Sequence, residues 1–375
     1  MPRVSFRVHS DPHQRAALTP ADPHLRVVIL AGGAGSRFWP ASTPARPKQL
    51  LPLGSSRPLV ADTVLRALEL VPARRLRIVA GRHLESPLTS ALPELPPGCF
   101  LWESRPRSTA PALTWATWRA WRSDPDAVIV SLHSDHVIRP AAAFRSLVAR
   151  AVRIAARDDV LLTVGARPDR PDTGYGYLQP GDALDGPARH GAGEPPRRVL
   201  RFHEKPDAGR AAEYIRRGFL WNTGIFVWRA SVFLKELRAH APGIAALLPR
   251  LEDGDVNGFF RHAPTVSVDE AVLERSRSCA MLPASFDWDD VGSWEALART
   301  RTPDRRGNTR AGDVVCVESD DNIVYSEGGR VVLFGVREMV VVVAGDVTMV
   351  TTREHARELK RLVQRLPSPS HTQRT

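Results

Sequence analysis

Apolar and polar positions follow two rhythms along the 375-residue chain. Between residues 26 and 166, short apolar runs recur: RVVIL (26–30), LRIVAG (76–81), CFLWES (99–104), AVIVSLHS (127–134) and VLLTVGA (160–166). Runs of this length, bounded by turn formers, read as buried strands. Between them, PLVADTVLRALEL (58–70), TAPALTWATWRAWR (109–122) and FRSLVARAVRIAAR (144–157) space their apolar residues as helices do. Strands alternating with helices predict an α/β fold with a mostly parallel sheet covered on both faces. Such sheets bind ligands at the carboxyl ends of their strands.

The rhythm loosens after residue 167. PDRPDTGYGYLQPG is rich in turn formers, and residues 182–196 hold few apolar side chains, which predicts a mobile surface loop. RRVLRFHEKP (197–206) reads as a strand halted at proline. AGRAAEYIRRG (208–218) reads as a short helix ended by Gly218. FLWNTGIFVWR (219–229) is a further strand, and helices dominate to about 276. From 312 to 350 the chain is valine-rich, with turns every eight to ten residues, which predicts a small all-β appendage. REHARELKRLVQRL (353–366) then reads as an amphipathic helix. The expected organisation is a loosely ordered extension (1–24), a main domain (25–305), a small β domain with its terminal helix (306–367) and a frayed tail (368–375).

Composition narrows the function classes. Hydrophobic residues make up 43% of the chain, enough for a large core and against global disorder. No apolar run reaches the roughly 18 residues that span a membrane, and residues 1–24 lack the apolar centre of a signal peptide. Cys99, Cys279 and Cys316 are odd in number and far apart. They predict reduced thiols in a cytoplasmic protein, with no zinc or redox pair. The net charge is +11. Its arginines are dispersed and no aromatic-basic motif accompanies them, so small anionic substrates are a better match than nucleic acid. Four of the 52 basic residues are lysine (48, 205, 235 and 360); the rest are arginine. A lysine retained on this background points to a need for a compact point charge.

The chemistry concentrates in LAGGAGSRFWPASTPARPKQLLPL (30–53). The loop is no Walker A motif, which needs GxxxxGK[ST], and no dinucleotide fingerprint, which needs a third glycine. Gly32, Gly33 and Gly35 let backbone amides approach a phosphate chain. Arg37 can pair bidentately with phosphate oxygens. Lys48 returns a second cation if residues 38–47, stiffened by Pro40, Pro44 and Pro47, fold back.

The string GGxGxRxWPxSxxxxPKQxLPL resembles the signature of the sugar-phosphate nucleotidylyltransferases. Its tryptophan-proline and PKQ form is similar to that of the mannose-1-phosphate guanylyltransferases of short form. Further motifs follow in that family's order: ESRPRSTAPA (103–112), SDHVI (134–138), RPDTGYGYL (170–178), FHEKPD (202–207), LWNTGIF (220–226), SVDEAVLE (267–274) and DVGSWEAL (290–297). The resemblance covers roughly residues 25–366. It implies a Rossmann-like nucleotidyltransferase domain and a left-handed β-helix-like appendage that mediates homodimer contacts.

The implied reaction joins GTP and mannose 1-phosphate into GDP-mannose and pyrophosphate. Alternatives are another hexose or heptose 1-phosphate, another nucleotide, or a non-catalytic nucleotide-sugar binder. The resemblance assigns magnesium to Asp135 and Asp290. Asp289 is an alternative ligand on chemistry alone, and the lesser alternative for Asp135 is a helix cap. Arg37, Lys48 and Lys205 would carry catalysis, gripping the triphosphate, the transition state and the sugar phosphate or α-phosphate in turn. Gly32, Gly33, Gly35, Glu103 and Thr109 would hold the nucleotide. Gly176, Glu204 and Asn222 would hold the sugar phosphate, although Glu204 and Lys205 could also be a solvated strand-end pair. Tyr175, Tyr177 and Trp221 could wall a pocket or pack. His133 and His136 read as hydrogen-bonding neighbours of the metal site. The chain departs from the family pattern at Ser104 (usually proline), Ser108 (usually asparagine), His133 and Glu270.

Overall fold

The computed structural model describes residues 22–33, 35–184 and 193–366. The extension up to residue 21, residues 185–192 of the expected surface loop and the tail lie outside the described residues. The chain forms two compact units: residues 22–32, 63–133 and 138–287, and residues 33–62, 134–137 and 288–366. Each is discontinuous in sequence.

The first unit is built on a nine-stranded sheet. In chain order its strands are β1 (Leu25–Leu30), β2 (Leu76–Gly81), β3 (Phe100–Glu103) and β4 (Val128–His133). After the short β5 (Val137–Arg139) come β6 (Leu161–Ala166), β7 (Tyr177–Ala183), β8 (Arg197–His203), β9 (Leu220–Arg229) and β10 (Cys279–Pro283). The spatial order is β3-β2-β1-β4-β9-β6-β10-β8-β7. Seven strands point one way, and β8 and β9 run against them. The sheet is thus mostly parallel, as the alternation predicts. The reversed β9 between β4 and β6 is not readable from sequence, because a strand buried on both faces carries no directional pattern.

The helices that matter for the site are α1 (Leu59–Leu68), α2 (Glu85–Ala91), α3 (Thr109–Ser123), α4 (Ala141–Arg157), α5 (Ala208–Arg216) and α6 (Ala230–His240). Val28 and Leu30 join one core with Ala112 and Ala116 of α3, Trp228 of β9 and Phe233 of α6. Val27 and Ile29 alternate with them and are also fully buried. By the two-residue period of a strand, β1 is therefore covered on both faces. The α5 boundaries follow local chemistry. Asp207 caps its start by accepting from the Arg210 amide at 2.9 Å, and Gly218, with φ of 74°, closes its end.

The second unit carries the appendage. After β11 (Asp287–Asp289) come β12 (Thr309–Ala311), β13 (Val314–Val317), β14 (Ile323–Ser326), β15 (Val331–Phe334), β16 (Met339–Ala344) and β17 (Val347–Thr352). β12, β14 and β16 pair in parallel, β13 pairs in parallel with β15, and β17 closes antiparallel on β16. Successive strands thus wind between two sheets as a coil. Buried Asn308 and Asn322 stack through it: Asn322 donates to the Asn308 amide oxygen at 2.8 Å and to the Val336 carbonyl. A helix, Leu359–Arg365, ends the unit.

The same core takes up the glycine-loop segment. Phe38, Leu51 and Leu53 pack with Trp294, Tyr325 and Val342. Fully buried Trp294 meets the Phe38 ring edge-on at 5.0 Å and Tyr325 at 5.2 Å. Burying a side chain of this size stabilises the unit by roughly 3 kcal/mol.

Candidate active site

The second unit opens in the glycine loop, at Gly33. Gly35 has a φ of 62°, and a Cβ there would lie 2.3 Å from Lys48 Cβ. Only glycine fits this close approach of the two ends of the lid segment. Gly33 has open space in front of it, as does Gly32 at the end of the first unit's segment.

Lys48 is buried, with 7% exposure. Its Nζ lies 2.6 Å from Asp135 Oδ2 and donates to the Asp290 carbonyl at 2.5 Å. Arg37 donates to the Gly292 carbonyl at 3.3 Å. A Cβ at Gly292 would meet both Asp290 carboxylate oxygens, at 2.9 and 3.0 Å, and Arg37 Nη1 at 3.4 Å. Residues 37, 48, 135 and 290 therefore converge. Lys48 thus lies between the Asp135 carboxylate and the backbone carbonyl of Asp290. His133, Asp135 and His136 offer ligand atoms within 4.8 Å of one another, a set that could hold a metal ion.

Asp289, the neighbour of Asp290, accepts from the Val291 amide at 2.7 Å and pairs with Arg299 at 2.7 Å. This Asx turn forces Val291 to a φ of 47°, a strained conformation for a β-branched residue. Strain of this kind persists where the surroundings over-determine it and clusters at functional sites. His136 Nδ1 accepts from the Trp288 indole at 3.1 Å.

In the first unit, two further groups form. Asn222 on β9 donates to Asp269 Oδ1 at 2.7 Å, and its amide oxygen accepts from the Thr163 hydroxyl at 2.9 Å. The Asn222 amide donates to the Gly176 carbonyl at 2.8 Å. Glu204 Oε2 lies 2.8 Å from where a Gly176 side chain would begin. Lys205, at a φ of 42°, donates from its backbone to the Tyr175 carbonyl and from Nζ to Glu204 at 2.6 Å. Tyr177 and Trp221 are buried and belong to the packing, with Tyr177 donating to the Asp172 carbonyl.

Asp269 escapes sequence reasoning, which singled out its neighbour Glu270. It begins a π-helical turn, Asp269–Leu273, a feature frequent at functional sites. Burial raises its carboxyl to about 6, with Asn222's hydrogen bond opposing. Thr163 escapes for another reason: it is one hydroxyl in an otherwise apolar strand.

Glu103 ends β3. It is buried, and its Oε1 has no hydrogen-bond partner. Burial raises its carboxyl to about 7. Thr109 opens α3, and its hydroxyl accepts from the Val268 amide at 2.9 Å. The preceding Ser108 has a φ of 65° and a ψ of −169°, a region nearly restricted to glycine. An orphaned buried acceptor beside strained backbone marks a place built for a donor-bearing ligand.

Comparison with known proteins agrees with this geometry. The nucleotidyl transferase family model matches residues 26–306, and a "MannoseP isomerase/GMP-like beta-helix domain" model matches residues 312–366. The xanthan biosynthesis protein XanB of Xanthomonas campestris is 35% identical over 93% of this chain and 74% of its own length. An Escherichia coli mannose-1-phosphate guanylyltransferase is 33% identical over 93% of this chain and 75% of its own. A Thermus thermophilus crystal structure, described as a mannose-1-phosphate geranyltransferase, superposes with a TM-score of 0.83 at 31% identity, covering 91% of this chain and 99% of its own. The chain belongs to the nucleotidyl transferase family.

Proposed function

We propose that the protein transfers GMP from GTP to mannose 1-phosphate, giving GDP-mannose and pyrophosphate. The observation that carries this reading is the convergence of Arg37, Lys48, Asp135 and Asp290 from three separate chain segments. Two cations and two carboxylates at one place suit a triphosphate and its metal, and the relatives' names supply the substrates.

A mannose 1-phosphate oxygen attacks the α-phosphorus of GTP in line. The bond from that phosphorus to the β-phosphate bridging oxygen breaks, and pyrophosphate leaves with the electron pair. Positioning and electrostatics supply the catalysis, so no nucleophilic side chain is needed. Arg37 grips the β- and γ-phosphates, and Lys48 neutralises charge growing on the α-phosphate oxygens. Amides of Gly32, Gly33 and Gly35 approach the phosphate chain. Asp135 and Asp290 would hold magnesium, which when bound adds positive charge along the phosphates.

Glu103 and the Thr109 backbone take the base. Guanine offers two adjacent donors, N1–H and the 2-amino group, and a carboxylate accepts both. Glu204 and Asn222, beside Gly176, accept from and donate to sugar hydroxyls, with Asp269 and Thr163 fixing the Asn222 amide. Lys205 meets the sugar phosphate.

No helix among the described residues is long and apolar enough to cross a membrane, and all three cysteines are free, which supports a cytoplasmic setting. The reading includes a homodimer through the β coil. Val315, Val317, Val332 and Phe334 are exposed and lie in register on β13 and β15, an apolar strip suited to a second copy. Phe334→Asp should turn a dimer into a monomer by light scattering; a wild-type monomer sinks this part.

A matrix of four nucleoside triphosphates against common hexose 1-phosphates, with magnesium and pyrophosphate release as readout, tests the whole. GTP with mannose 1-phosphate should give the highest kcat/KM. No turnover in any cell of the matrix overturns the enzyme reading.

A further inference from the structure

One peptide bond of the second unit is held at both ends. The Val291 amide donates to Asp289 Oδ1 at 2.7 Å, and the Asp290 carbonyl accepts from Lys48 Nζ at 2.5 Å. Both groups belong to the planar peptide that joins Asp290 to Val291. A trans peptide points its N–H and its C=O in opposite directions, and this one is not among the chain's cis bonds. Fixing the amide on Asp289 therefore aims the carbonyl at Lys48.

The contacts continue on either side. Lys48 Nζ meets Asp135 Oδ2 at 2.6 Å. Arg299, in the helix Trp294–Thr300, holds the Asp289 carboxylate, with Nε on Oδ2 at 2.7 Å and Nη2 on Oδ1 at 3.3 Å. Charge thus alternates from Arg299 to Asp289, across the peptide to Lys48 and on to Asp135. The peptide dipole presents its N–H to the anion and its C=O to the cation, the favourable sense. The same turn runs on to Gly292, whose carbonyl accepts from Arg37 at 3.3 Å. Both cations of the glycine-loop segment therefore rest on carbonyls of this one turn.

An Asx turn beside an ion pair is a common way to redirect a chain. That account leaves one observation over. The left-handed angle, a φ of 47°, falls on Val291 and not on Gly292 next to it, although glycine would adopt it without strain. Val291 is fully buried in the core it shares with Phe38, Leu51 and Trp294. Packing and Asp289 together hold the strained residue, and what the strain secures is the direction of the peptide before it.

We infer that Asp289 and Arg299 are positioning residues for Lys48. Asp289 aims the Asp290–Val291 carbonyl, and Arg299 fixes Asp289. An ammonium on a flexible four-carbon stem takes its direction from its acceptors. Directing two of its three N–H donors, to the Asp290 carbonyl and to Asp135, fixes the direction of the third. That the third meets phosphate charge rests on the proposed reaction; the aiming itself does not.

Lysine labelling of the full chain reads this geometry without turnover. The chain has four lysines, and Lys205, Lys235 and Lys360 are exposed. Brief treatment with acetic anhydride, read by mass spectrometry, should acetylate these three readily and Lys48 slowly in wild type. Asp289→Ala should speed Lys48 at least about tenfold relative to Lys360, the scale of one lost hydrogen bond to a charged group. Asp289→Asn, which keeps an oxygen for the Val291 amide, should leave Lys48 slow. Val342→Ala, in the same core, controls for stability. If it speeds Lys48 as much at an equal fall in Tm, or if Asp289→Ala leaves Lys48 slow, the positioning role is overturned. Should Asp289→Ala not fold, Arg299→Ala should speed Lys48 by about threefold, the scale of a partly exposed ion pair, and no change overturns the inference.

Turnover separates the inference from the reaction. Asp289→Ala should lower kcat for pyrophosphate release at least about tenfold, with KM for mannose 1-phosphate near wild type, and Asp289→Asn should recover most of the loss. An Asp289→Asn variant as inactive as Asp289→Ala, with Lys48 still slow, would make Asp289 a metal ligand and overturn the positioning role. A wild type without turnover, in which Asp289→Ala still exposes Lys48, keeps the positioning and sinks the proposed reaction instead.

Discussion

The two groups of candidate residues solve opposite electrostatic problems. In the second unit, Lys48 is buried between oxygens of Asp135 and Asp290, and Arg37 sits against the same turn. Charges there are mutually satisfied before any ligand arrives. In the first unit, Glu103 and Asp269 are desolvated acids pushed to about 7 and about 6. Asn222 donates to Asp269, whereas Glu103 Oε1 has no hydrogen-bond partner among the described residues. The first arrangement suits a polyanion, whose charge must be met by cations already in position. The second suits hydroxyls and N–H groups, which need strong acceptors.

The contrast can be broken at its charged end first. Lys48→Ala should lower pyrophosphate release by at least about a thousandfold, the scale of losing a preorganised transition-state contact. Lys48→Arg should fail to restore it, because a planar fork cannot replace a point charge packed against Gly35. Near-wild-type activity in the arginine variant would show that any cation suffices.

A smaller effect separates the sugar group. Asp269→Asn leaves Asn222 without its charged acceptor and should raise KM for the sugar phosphate by about ten- to a hundredfold. KM for the nucleotide should stay near wild type. Equal rises in both would mean that Asp269 holds the fold and not the amide.

A third effect is on stability and has a sign fixed by titration. The carboxyl of Glu103 has its ordinary value of 4.5 in the unfolded chain and about 7 when folded. The folded chain therefore favours the neutral acid. Its stabilising contribution is complete below about 4.5 and is lost as pH rises through about 7. Glu103→Gln keeps the neutral form throughout and should be more stable than wild type at pH 8, by up to about 3 kcal/mol in urea unfolding. It should also lose preference for GTP over ITP, which lacks the 2-amino group. A variant less stable at pH 8 would refute the burial cause.

Periodicity alone exposed the alternating strands and helices, because buried strands and amphipathic helices are written into apolar spacing. It could not orient β9, whose residues are apolar on both faces. The loop was legible as a phosphate cradle from its glycines, whereas the pairing of Lys48 with residues 135 and 290 spans up to 242 positions and entered only through resemblance. Asp269 stayed hidden because its role is to hold Asn222, and a hydrogen bond between positions 47 apart leaves no local pattern. The strained φ values at Ser108, Lys205 and Val291 are equally silent. None is a glycine, and only tertiary structure imposes them.

The discontinuity of the second unit bears on how the molecule is made. Phe38, Leu51 and Leu53 share a core with residues from 291 to 359. During synthesis the glycine loop leaves the ribosome early, yet its packing partners follow some 250 residues later, which is many seconds of elongation. Throughout that interval the lid segment has no finished core to rest on. Catalytic competence is thus deferred until the coil has closed. A fragment cut at the junction near residue 306 would keep every signature residue while losing the floor beneath the first of them.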